Sequence, residues 1–181
     1  MIQRPLQFCI RGALRFSLAL GAGCAWHDAS ERVMGVELDH ASFVAVAQVL
    51  VQHCGTLDCH GMVGRNLRLY GNQGLRIAKT DTPTMPACIT TEEVEQDYAA
   101  VVGLEPELLR EVVTEGGARP ERLSLVRKAR GSEHHKGGAV FNEQGEPDRC
   151  LLSWLASATD TEACERALSS AACEVSVHAE R

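Results

Sequence analysis

Aromatic side chains are scarce: four Phe, two Trp and two Tyr make up 4% of the 181 residues. A core built from this chain rests mainly on Leu, Val and Ala, and a bound apolar cofactor would add volume that those side chains lack. Positive charge is also in deficit. Eighteen Lys and Arg face 24 Asp and Glu, for a net charge of −6, which argues against nucleic acid as a partner. No apolar run approaches the ~20 residues that span a bilayer. No strand-like alternation of useful length and no internal repeat is present.

The sequence signatures of hydrolases and group-transfer enzymes are missing too. Ser42, Ser124, Ser132 and Ser153 lie in no nucleophile elbow, and no glycine cradle precedes a Lys-Ser or Lys-Thr pair. Glu92, Glu93 and Glu95 read first as helix-start and solvent-face carboxylates rather than as an acid–base pair. These gaps favour a carrier or binding protein over a catalyst.

What the chain has in abundance is cysteine. Eight in 181 residues is a high count for a reduced cytosolic protein and suits an exported one, where cysteines pair or hold a cofactor. Residues 1–24 support export. Arg4, Arg11 and Arg15 precede the short apolar run Phe16–Gly23, the layout of a signal peptide. The small residues before Cys24 resemble a lipoprotein cleavage box, and a lipid on Cys24 would anchor the chain to a membrane. The alternative is an ordinary helix with Arg11 and Arg15 on its polar side. Export predicts a periplasmic or cell-envelope location.

Beyond the leader, residues 25–41 read as a polar linker. Helical patterning starts at Ser42, a candidate cap, with Phe43, Val46, Ala47 and Leu50 on one face and Val44, Val49 and Val51 widening it. Thr90–Glu93 forms a capping-box pattern for a helix running to Gly103. Pro106 opens another helix that ends at Gly116–Gly117, and Pro120 opens a third segment. Asp148 and Asp160 are candidate caps for two further helices, the first burying Cys150, Leu151, Trp154 and Leu155. The expected fold is mostly α, a small bundle of short helices with long loops, stabilised by disulfides. Cys88–Cys150 and Cys164–Cys173 are plausible pairings among several.

Within this framework Cys54, Cys59 and His60 stand out. A cysteine pair closed by an immediate histidine is the order that attaches a c-type haem: two thioethers fix the porphyrin and the histidine ligates iron. Two other readings stay open: a Cys54–Cys59 disulfide beside a packed His60, and a zinc site with C-x4-C spacing.

Two stretches resemble the c-type cytochrome domains of the planctomycete type. The first runs from Val46-Ala47-Gln48-Val49-Leu50 to Cys54, Cys59-His60-Gly61 and Gly74-Leu75-Arg76-Ile77. The second comprises Leu125-Val126-Arg127-Lys128, His135-Lys136-Gly137-Gly138 and Leu151-Leu152-Ser153-Trp154-Leu155. The resemblance implies a cytochrome c-like domain over residues 42–158, followed by a C-terminal helix and tail over 159–181. It implies one covalent haem c, electron transfer to redox partner proteins, His60 as proximal iron ligand and His135 as distal ligand. Met85 and His134 are alternative distal ligands. Arg65, Arg68 and Arg76 are candidates to pair with the haem propionates, since guanidinium matches carboxylate in a fork. The chain departs from the family at the spacer, which has four residues instead of two. On a continuous helix, cysteines five apart would point about 140° from each other, so the segment has to leave the helix, and Gly55 offers the place.

Overall fold

Helix α1, Phe43–Cys54, carries an apolar face so broad that Phe43, Val46, Ala47, Val49, Leu50 and Val51 are all buried. A helix apolar on that much of its circumference needs partners on several sides. Helices α2 (Thr91–Val102), α5 (Glu146–Leu155) and α6 (Thr161–Ala167) supply them, each packing directly on α1. The computed structural model describes residues 38–77 and 89–168. Those residues also contain α3 (Pro106–Thr114), a 3-10 turn at Pro120–Arg122 and α4 (Ser124–Ala129). Among them there is no β-strand, only one isolated bridge between Tyr70 and Leu75. The expected mostly helical class with long loops is what forms, and no helix of the described residues is long and apolar enough to cross a membrane.

Several helix ends follow local sequence. Thr90 Oγ1 accepts the Glu93 amide while the Glu93 carboxylate takes the Thr90 N–H, a complete capping box on α2. Pro106 stands at the start of α3, and Gly116 and Gly117 after it both take positive φ. Asp160 caps α6 by accepting the Ala163 N–H at 2.9 Å.

Two expected caps behave differently. The Ser42 side chain makes no capping bond; its hydroxyl donates to the Asp39 carbonyl, and Asp39 Oδ1 takes the Ala41 and Ser42 amides. Asp148 is the third residue of α5 rather than its cap. It is 1% exposed and is clasped by the Arg130 guanidinium through two 2.8 Å bonds.

Three of the five aromatic rings among the described residues meet at one point. Phe43, Tyr98 and Trp154 meet edge-on or tilted with centroids 5.0–6.3 Å apart. Trp154 Nε1 donates to the Asp39 carbonyl at 3.0 Å, and the Tyr98 hydroxyl donates to Leu38. Leu38, expected at the end of a linker, is thus only 2% exposed.

Among the described residues a disulfide joins Cys150 to Cys164, tying α5 to α6 across the core. Neither expected pairing forms, because α5 and α6 pack face to face and bring these two sulfurs together first. Cys88, Cys173, the 1–24 leader and Met85 lie outside the described residues.

Candidate functional site

The C-terminus of α1 decides the geometry of the cysteines. Cys54 is its last residue, and Gly55 follows with its amide donating to the Val51 carbonyl. From there the spacer folds into consecutive turns: Cys59 N–H donates to Thr56, and His60 N–H returns to the Cys54 carbonyl at 2.9 Å. The four-residue spacer is therefore absorbed by a closed loop. Cys54 and Cys59 line the same cleft, both as free thiols.

This loop is crossed by the chain again at Gly74. A Cβ on Gly61 would lie 1.9 Å from the Gly55 carbonyl oxygen, and one on Gly74 would lie 2.1 Å from the same atom. Only hydrogen fits at either position. The close approach lets Gly61 accept the Leu75 N–H and His60 accept the Leu69 N–H, each at 2.8 Å. The imidazole is fixed as well: His60 Nδ1–H donates to the Leu67 carbonyl at 2.7 Å. That bond selects the tautomer with an unprotonated Nε2, the atom a metal ligand uses.

His60 lines a cleft of about 210 Å³ together with His53, Cys54 and Cys59. Its opposite wall is the loop after α4, which contributes His135, Gly137 and Val140. Gly137 gives the His135 ring its place, since a Cβ there would stand 2.9 Å from His135 Nε2. His135 Nδ1 is buried without a hydrogen-bond partner. Burial first, then the nearby charges of His60, Lys128 and His134, hold the His135 pKa below the usual histidine value. Both effects favour the neutral ring, the form that ligates metal. His134, the alternative ligand, is exposed and does not line the cleft.

The Cys54 thiol is not poised for nucleophilic chemistry. Burial, then the neighbouring Cys59, pushes the Cys54 pKa up to about 12, so this sulfur keeps its proton.

The cationic rim differs from the one expected. Arg65 does line the cleft, donating to the Cys59 carbonyl at 3.0 Å and the Asp58 carbonyl at 3.3 Å. Arg76 does not. Its guanidinium is clasped by the fully buried Glu93 at 2.7 and 3.2 Å, because that carboxylate needs a counter-charge inside the fold. Arg68 is outside the cleft lining too and stacks over the Tyr70 ring at 5.4 Å. Their places at the rim are taken by Lys128 and Lys136, and Lys136 Nζ reaches across to the Asp58 carbonyl at 3.3 Å.

Sequence reasoning had no role for His53, Lys128 or Lys136 at the site. The two lysines stood within stretches already singled out, and His53 directly precedes Cys54. Its Nε2–H donates to the Ala167 carbonyl, pinning the end of α1 to α6.

Among the described residues, no three His, Cys, Asp or Glu side chains gather closely enough to hold a metal ion. The cleft therefore lacks the four convergent donors of a tetrahedral zinc centre. A haem asks something different of a protein: two attachment thiols, one or two axial ligands and an apolar wall. The donor set here fits that demand. The volume, about 210 Å³, is below the ~300–1,000 Å³ of sites that enclose a whole ligand, so a haem bound here would be only partly enclosed. No protein-family model, curated protein or solved structure matches the chain, and the cleft has to be interpreted from its own geometry.

Proposed function

We propose that this chain is an exported c-type cytochrome-like electron carrier with one covalent haem, attached through Cys54 and Cys59. His60 is the proximal ligand and His135 the distal one. The observation that carries this reading is the convergence on one cleft of two free thiols with the His60 and His135 imidazoles, which come from distant parts of the chain. His60 supports it further, with Nδ1 committed to Leu67 and Nε2 left for a metal. A bound haem supplies one-electron chemistry at iron, at a potential set by axial ligands, burial and nearby charge. The chain's own part is to hold the two imidazoles, exclude water with Val140 and the α1 terminus, and offer Arg65, Lys128 and Lys136 to the propionates. The buried Cys150–Cys164 disulfide supports an oxidising compartment such as the periplasm or cell envelope.

The test is expression in a host with c-type maturation machinery. The expected product is red, with a Soret band that survives acid–acetone extraction. His60→Ala should keep covalent colour but lose the low-spin spectrum. His135→Ala should turn the spectrum high-spin, while His134→Ala should leave it unchanged. A colourless product under these conditions would refute the reading. It would favour a haem-free, disulfide-stabilised envelope module, the reading that the small cleft volume supports.

A further inference from the structure

Two carboxylates of α2, Glu93 and Asp97, have no exposed surface at all. They stand four residues apart, one helical turn, on the same face. Burying one carboxylate is unfavourable, and burying two side by side adds their mutual repulsion. Glu93 is offset by Arg76. Asp97 is offset only in part: Oδ1 accepts the Tyr70 N–H at 2.7 Å, while Oδ2 is buried without a partner. Apolar residues at these two positions would stabilise α2 more simply, so what the carboxylates hold is the informative feature.

Both hold residues 67–77. Asp97 takes the amide of Tyr70, next to Leu69, and Glu93 takes the amide of Ile77 at 3.1 Å, two residues after Leu75. Leu69 and Leu75 are the residues whose amides bind His60 and Gly61, and Leu67 is the residue whose carbonyl binds the His60 ring. Hydrogen bonds from α2 and to His60 thus meet on the one short backbone segment 67–77, which ties the helix to the imidazole. We propose that Asp97 and Glu93 are positioning residues for His60, clamping the two arms of the segment that fixes its ring orientation and tautomer. The inference rests on His60 being the functional ligand, yet it concerns the ring's placement and can be tested on the chain with or without haem.

The experiment follows the His60 Nδ1–H by nitrogen-15 NMR in the full chain, measuring tautomer and proton exchange with water. Four proteins are compared: wild type, Asp97→Ala, Asp97→Asn and Asp148→Ala. Asn keeps an oxygen for the Tyr70 amide. Asp148→Ala breaks a comparably buried ion pair, with Arg130, that does not touch residues 67–77. Asp97→Ala is expected to speed Nδ1–H exchange about tenfold, the scale of one lost buried hydrogen bond. Asp97→Asn should remain within about twofold of wild type on the same scale, and Asp148→Ala should leave exchange unchanged although it lowers the melting temperature. Unaltered exchange in Asp97→Ala would overturn the proposal. So would equal acceleration in Asp148→Ala, which would mark a general loss of stability.

Should Asp97→Ala fail to fold, Glu93→Gln tests the other arm. It keeps the side-chain shape but weakens the hold on Arg76 and Ile77, so faster exchange supports the clamp and unchanged exchange refutes it. A colourless protein with intact clamping would reject the haem while keeping this inference. A red protein with His60 indifferent to Asp97 would do the reverse.

Discussion

Asp97 makes a sharp prediction about stability and pH. Burial raises its pKa most; the Tyr70 hydrogen bond lowers it and the Glu93 charge raises it, leaving a value of about 8 against an ordinary 3.8. The unfolded chain releases this proton near 3.8, and the folded chain holds it until about 8. Between those values the folded state binds more protons, so stability is greatest below the lower value and falls as pH rises through the window. Each pH unit in the window is worth at most ~1.4 kcal/mol, and four units set a ceiling of about 5–6 kcal/mol. Local opening of the 67–77 segment would relieve the charge before that ceiling is reached, and a loss of about 2–3 kcal/mol between pH 5 and pH 8 is expected. Asp97→Asn removes the ionisation while keeping the acceptor for Tyr70. Its stability should be nearly flat over that range and should exceed wild type at pH 8 by about the same 2–3 kcal/mol. Urea unfolding of both proteins from pH 5 to 8 measures this. Parallel curves for the two would refute the reasoning.

Two further substitutions probe the frame of the site. Removing the disulfide by Cys150→Ala with Cys164→Ala frees a loop closed across a sequence separation of 14, and should cost about 3 kcal/mol in urea unfolding; an unchanged midpoint would show that the bridge does not constrain the chain. Gly61→Ala places a methyl 1.9 Å from the Gly55 carbonyl oxygen. Backbone cannot yield as a flexible side chain does, so a loss of about 3 kcal/mol, the upper end for overpacking, is expected, measurable as a lowered melting temperature; wild-type stability would mean that the crossing of Gly55, Gly61 and Gly74 does not form.

Features of this protein that depend on neighbours along the chain are legible in the sequence itself. The Thr90–Glu93 box, the Pro106 start, the Gly116–Gly117 stop and the Asp160 cap all form within one or two helical turns, where backbone groups have few other partners. The burial of Phe43, Val46, Ala47 and Leu50, or of Cys150, Leu151, Trp154 and Leu155, follows from periodicity alone. Ser42 and Asp148 show where this reasoning ends. Each has the right chemistry for a cap, yet Ser42 is drawn to Asp39 and Asp148 to Arg130.

The site divides along the same line. Sequence alone singled out Cys54, Cys59, His60 and His135 by residue type and order, since a thiol pair and an imidazole are recognisable wherever they stand. Tertiary structure decided that all four line one cleft, because the spacer closes into a loop that no helical wheel describes. It also chose His135 over His134 at the cleft, gave Arg76 to Glu93, and set Lys128 and Lys136 at the rim. Charges interact through space, and a buried carboxylate captures whichever guanidinium the fold brings within reach. Cysteines likewise pair by distance after packing, so Cys150 found Cys164 once α5 met α6.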